Sequence, residues 1–267
     1  MAQYLTTEET EPRLMPDGAV TIVVHLFAFF DDAGTDQGSS MVTCAGYLAV
    51  ARRWDAFSDK WGHLLRSYHI RAGEFSMKRF AQSTGPFRGW DEGKRRSFMA
   101  RALALIQQYV ERGFAVFIQK EDYDKSISEE VKTRVGGYFP FCAEMCVNLV
   151  EEYVAAKANR TLADEPTESI DYVFEKGSQG AGRVQTAFEE YFWQIDRSWC
   201  RGFSHENKRS SELHAADIMA YETCKNIKDI QAGKSTLRHP FKTLLLGVPH
   251  TIFGPDAGEL EQISRDL

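Results

Sequence analysis

No apolar run in this chain of 267 residues is long enough to cross a bilayer. The longest, Thr21 to Phe30, is interrupted by His25 and is rich in β-branched and aromatic residues, which predicts a strand. The opening residues 1–16 are polar and acidic, with no basic segment leading into an apolar one, so no secretory signal is expected and the cytoplasm is the predicted location. Cysteine is scarce. Cys44, Cys142, Cys146, Cys200 and Cys224 are odd in number and scattered, a pattern of reduced thiols rather than a disulfide framework. Cys142 and Cys146 lie one helical turn apart, but no second Cys or His pair stands near them, so they read as core thiols. Internal repeats and Gly/Ser-rich linkers are missing, and with them any reason to divide the chain. The run Gly177-Ser178-Gln179-Gly180-Ala181-Gly182 lacks the Gly-Lys-Ser/Thr ending of a phosphate loop and does not fit the dinucleotide fingerprint. No nucleophile elbow appears, which removes support for a serine or cysteine hydrolase.

What is present is ordinary globular composition, 43% hydrophobic and 26% charged, which argues against disorder. Residues 1–17 read as an N-terminal extension ending in the turn signal Met15-Pro16-Asp17-Gly18, and residues 18–267 as one domain. Val20 to Phe30 has the near-continuous apolarity of a central strand covered on both faces. Gly34 to Ser40 is a turn, and Met41 to Ala51 a second strand closing a hairpin. Trp54 to Ser67 is helical by spacing, with Trp54, Phe57, Trp61, Leu64 and Leu65 on one side. Glu74 to Trp90 reads mostly as loop. Asp91 to Arg112 is a helix with Gly113 as its C-terminal cap, and Phe114 to Gln119 a strand. Tyr138 to Ala158 is a helix broken near its start by Pro140. Asp164 to Glu168 is a loop, Ile170 to Phe174 a strand and Val184 to Trp193 a helix. Ser211 to Asp229 is the last clear helix, followed from His239 by an irregular tail with Pro240, Pro249 and Pro255. A hairpin followed by alternating helices and strands predicts an α/β fold with one mixed sheet and helices on its faces.

The net charge of −6 offers nucleic acid no global attraction. Its distribution is uneven, however. Lys60 to Arg101 holds ten Lys or Arg against Glu74, Asp91 and Glu92, enough to follow a phosphate backbone or simply to solvate a helix face. Carboxylates mark the candidate chemistry. The first strand runs straight into Asp31 and Asp32 before Ala33-Gly34, which is either a plain turn or a pair of acids partly desolvated by so apolar a strand. On the last helix, Asp217 falls inside the stripe Leu213, Ala220, Tyr221 and Cys224. A buried aspartate there needs a hydrogen bond, a counter-ion or a metal. A third acid has two sources, Glu175 at the end of one strand, or Glu121 and Asp122 at the end of another. Lys208 and Arg209, just before the last helix, can neutralise charge near such a site, and His205 and His214 are either proton carriers or structural histidines.

The pattern Phe30-Asp31-Asp32-Ala33-Gly34 resembles the Asp-Glu-Ser-Gly start of the prokaryotic domain-of-unknown-function family with catalogue number 3800. The small-residue strand Cys44-Ala45-Gly46-Tyr47-Leu48 and the Trp-bearing helix Trp54 to Trp61 follow in that family's order. Leu213-His214-Ala215-Ala216-Asp217 resembles its closing Leu-Gln-Leu-Ala-Asp helix. This chain departs from the pattern at Asp32 (Glu in the family), Ala33 (Ser) and His214 (Gln). The resemblance extends from about residue 20 to 230 and implies a ribonuclease H-like fold, a mixed β-sheet flanked by helices. In that superfamily, acids from the first strand, a later strand and a final helix meet around divalent metal. It therefore implies a magnesium- or manganese-dependent nuclease, a phosphodiester hydrolase, with Asp31, Glu175 and Asp217 as catalytic acids and Asp31, Asp32, Glu175 and Asp217 as metal ligands. Lys78, Arg79, Lys208, Arg209 and His214 would contact a nucleic-acid substrate. The rival expectation is a non-catalytic module of the same fold that binds nucleic acid or protein, within a defence or mobile-element system.

Overall fold

The computed structural model describes residues 10–14, 20–158, 168–176, 182–186 and 200–266. Its centre is β2 (Val20–Ala33), the strand predicted from the apolar run and longer than the run itself. β2 turns at Gly34 and returns as β3 (Met41–Val50), and β4 (Arg112–Gln119) continues the antiparallel meander. On the other edge of β2, β5 (Glu168–Glu175) pairs parallel, and β6 (Cys200–Glu206) pairs parallel to β5. β7 (His250–Phe253) runs parallel to β4 at the far edge, giving the order β6-β5-β2-β3-β4-β7. A further strand, β1 (Thr10–Leu14), pairs antiparallel with Val20–Val24 of β2. Part of the predicted extension, Thr10–Leu14, is thus sheet.

Two cores cover the sheet. One face carries α1 (Ala51–Ser67), α2 (Met77–Ala81), α3 (Glu92–Tyr109), α7 (Ser211–Gln231) and α8 (His239–Gly247), packed on Phe29, Ala45, Tyr47 and Val173. The other carries α4 (Lys120–Ser126), α5 (Glu129–Val135), α6 (Tyr138–Ala158) and α9 (Ala257–Asp266), packed on Ala28, Phe30, Cys44 and Phe174. Strand alternation makes this sorting follow from the sequence: even positions of β2 and β5 face α6, and odd positions face α7. Cys142 and Cys146 lie in the α6 core, with the Cys146 thiol 3.3 Å from the Cys44 carbonyl, as core thiols should. No described helix is long and apolar enough to cross a membrane.

Several expectations fail at glycine and proline. Gly113 is not a helix cap. It sits in β4, where an added Cβ would lie 2.2 Å from the His250 ring, and α3 ends at Tyr109 with Val110 as its C-cap. Pro140 does not break α6, and Pro240 begins α8. Both stand in a first turn, where the missing N–H has no intrahelical partner to lose. The tail from His239 is consequently ordered as α8, β7 and α9 rather than irregular. Glu74 to Trp90, read as loop, contains α2 between two short 3₁₀ turns, Ala72–Glu74 and Gly85–Phe87. The predicted helix 184–193 is helical over the described residues 182–186, and its remainder lies outside them, as does most of the 164–168 loop.

Candidate metal centre

The site forms where odd positions run out of sheet. Phe29 on β2 and Val173 on β5 belong to the core under α7, so Asp31 and Glu175, two residues on in each strand, point to the same face. These strands are parallel and in register up to the pair Phe30 and Phe174, which carries both acids to one end of the sheet. Asp31 is 3% exposed and Glu175 7%, so neither carboxylate has bulk water to hydrate it. Asp32 is half-buried at the strand's end. Carboxylate oxygens of Asp31, Asp32 and Glu175 lie within 4.8 Å of one another, a spacing that can hold a metal ion.

Local bonds fix these side chains. The Asp32 N–H donates to Asp31 Oδ1 at 2.8 Å, and Thr35 Oγ1 donates to Asp32 Oδ2 at 2.6 Å. Gly34 makes the turn possible: its φ is +77°, and a Cβ there would lie 2.1 Å from the Met41 carbonyl oxygen. Asp32 therefore both shapes the turn and joins the cluster. Small residues on β3 allow the close approach, since a Cβ on Gly46 would sit 1.8 Å from the Phe29 carbonyl oxygen.

Asp217 arrives from α7, within the stripe of buried Leu213, Ala220 and Cys224. Its Oδ2 accepts the Met77 N–H at 2.8 Å, which ties α7 to the first residue of α2. Burial, followed by the neighbouring acids Asp217, Glu175 and Asp32, drives the Asp31 carboxyl well above the usual range. Burial likewise raises Asp217, to about 6, against the opposing pull of the Met77 N–H and the Lys208 charge. Asp31 and Glu175 are buried and Asp32 and Asp217 half-buried, and so close a group of acids ionises fully only with a cation to offset it.

One such cation is present. Lys208 Nζ lies 3.0 Å from Glu175 Oε2. Burial works to lower this ammonium's pKa, but Asp31, Asp217 and Glu175 together raise it. The other basic residues lie further out. Lys78 and Arg79 are exposed on α2, directly after Met77, which donates to Asp217. Arg209 is exposed beside Gly73. Within the 60–101 segment, some cations are already committed: Lys94 lies over Trp90, Arg95 over Phe80 and Arg101 over Tyr68.

Two candidates are corrected. Glu121 is not at the site: it is an exposed residue of α4, paired at 2.5 Å with Lys125, so Glu175 is the strand acid that joins Asp31. His214 does not face a substrate. It is 2% exposed between Trp61 and Phe75, and its Nδ1 accepts the Trp61 indole N–H at 2.8 Å. The proton must then sit on Nε2, which donates to the Lys208 carbonyl at 2.8 Å. Burial lowers its pKa to about 4, so at physiological pH it is neutral, keeps the single Nε2 proton and gains no second one. His205 is beside Phe174 on β6, on the sheet face away from the acids. The Met77 and Trp61 contributions were not foreseen. Trp61 alone left a signal, because a buried indole N–H requires an acceptor. A scan against protein-family models finds no match, and a search of curated proteins finds none either.

Proposed function

We propose that this chain is a divalent-metal-dependent nuclease of ribonuclease H-like architecture, hydrolysing phosphodiester bonds in nucleic acid. The observation that carries the reading is the convergence of Asp31, Asp32 and Glu175 within 4.8 Å, with Asp217 close enough to raise the Asp31 pKa. The acids come from β2, the strand β5 parallel to it and the later helix α7, which matches the strand, strand and helix the family resemblance implies, although α8 and α9 follow α7 here. The donor set fits the ion: every side chain offers hard carboxylate oxygen, which suits Mg²⁺ or Mn²⁺ rather than a softer metal.

Asp31, Asp32, Glu175 and Asp217 would hold the metal, which when bound supplies Lewis acidity toward phosphate and water. The chain's own part is positional. The Asp32 N–H and the Met77 N–H orient Asp31 and Asp217. Lys78, Arg79 and Arg209 are exposed and able to contact flanking phosphates of a strand. A module that only bound nucleic acid would gain nothing from burying mutually repelling acids, which favours the enzyme over the binding-only alternative.

Incubation with single- and double-stranded DNA and RNA in Mg²⁺ or Mn²⁺ tests this. Cleavage that chelation abolishes is expected, and Asp31→Asn, Glu175→Gln and Asp217→Asn should each reduce it by more than about 100-fold, beyond the loss typical of outer partners. Tight binding without cleavage of any substrate would instead support the binding module.

A further inference from the structure

Lys208 is held more elaborately than a surface lysine requires. The turn carrying it, between β6 and α7, is closed by the Ser210 N–H donating to the Asn207 carbonyl and the Arg209 N–H to Asn207 Oδ1. Its backbone carbonyl is bound by the Nε2–H of His214, a ring buried in the α7 core and held in turn by the Trp61 indole of α1. One residue beyond the turn, buried Glu212 accepts from Ser210 Oγ at 2.6 Å and from Ser58 Oγ of α1. Two residues of α1 thus anchor the turn through two residues of α7. The product of this support is one ammonium group, 3.0 Å from Glu175.

We propose that Lys208 is a built-in cation that competes with divalent metal for Glu175, and that His214 is the positioning residue that keeps it there. The inference rests on the metal reading above and deepens it. A side chain tethered only through its own flexible stem would spend much of its time in solvent, and its half-exposed position makes that escape available. Fixing the backbone carbonyl sets where the stem begins, and the carboxylates then hold its end. A dication that takes the Glu175 oxygens must displace or repel this ammonium, so Lys208 lowers the site's affinity. The ammonium released from Glu175 is left at the mouth of the site, where a phosphate of the substrate is the natural anion to receive it.

The test measures Mn²⁺ binding to the full chain by electron paramagnetic resonance of the free ion, with no substrate present. Lys208→Met should bind Mn²⁺ about tenfold more tightly than wild type, since a unit charge a few ångströms away is removed from a partly buried site. His214→Leu, which loses both bonds, should shift affinity the same way by a smaller factor. His214→Gln, whose amide can accept from Trp61 and donate to Lys208, should restore wild-type affinity. If His214→Leu does not fold, Lys208→Met and His214→Gln still decide the matter. Equal or weaker binding in Lys208→Met overturns the inference while leaving the metal centre intact. Absence of Mn²⁺ binding in both wild type and Lys208→Met overturns the metal centre as well.

Discussion

Burial acts strongly on Asp31. Its carboxyl and that of Asp217 are held above the ordinary range, Asp217 to about 6, first by loss of water and, at Asp31, also by three neighbouring acids. In the unfolded chain both would ionise near pH 4. The metal-free folded state therefore binds more protons than the unfolded one in this window. The contribution is fully present below about pH 4 and is lost as pH rises through 6 and beyond. A divalent ion binds the ionised acids and reverses the sign. Thermal melts should show a larger Mn²⁺-induced rise in Tm near pH 7.5 than near pH 5, and Asp31→Asn should both flatten the metal-free pH dependence and remove most of the Mn²⁺ effect. An equal Mn²⁺ shift at the two pH values would place the ion elsewhere. The acids themselves were legible in the sequence, because an aspartate at the end of an apolar strand or inside a helix stripe stands out. The choice between Glu175 and Glu121 was not legible from pattern alone, since each follows an apolar strand run, and only the sheet order puts β5 beside β2.

Among the elements, α7 joins the site to the rest of the fold. Its first turn supports Lys208, its second carries Asp217, and its later turns bear a separate ion network. Buried Glu222 takes Arg238 through two bonds, 2.8 and 3.2 Å, and the Arg238 N–H donates to Asn226. Asp229 adds Lys234 at 2.9 Å. The network fastens the loop before α8 to the helix. Glu222→Ala would leave Arg238 without its buried partner and should cost about 3 kcal/mol of stability in urea unfolding, the lower end for a broken buried pair. Because the change lies beyond Asp217 on the helix, metal affinity of the folded fraction should be unaffected. Apolar spacing around Asp217 placed α7 closely, and the span Tyr138 to Ala158 matches α6, but without the expected break at Pro140. The errors at Gly113, Pro140 and Pro240 share one cause: glycine and proline mark a boundary without saying which side of it they occupy.

At the scale of the whole molecule, the sheet is what turns separate sequence signals into one place. A three-strand meander, β2-β3-β4, leaves the second edge of β2 open for β5, and alternation then sends Asp31 and Glu175 to the face where α7 brings Asp217. The mixed α/β order could be read from the alternation of patterns. That β1 joins the sheet could not, because Thr10–Leu14 has no apolar run and is held by backbone pairing with β2. The apolar residues of the basic 60–101 segment pack on the same face of the sheet as Phe29 and Val173. Everything functional in this picture depends on metal at the strand ends. Crystals soaked in Mn²⁺ should show an anomalous peak bounded by the carboxylates of Asp31, Asp32 and Glu175, with Asp217 beside it. A saturating soak that leaves this corner without a peak, while Asp31→Asn crystals look the same, would contradict it.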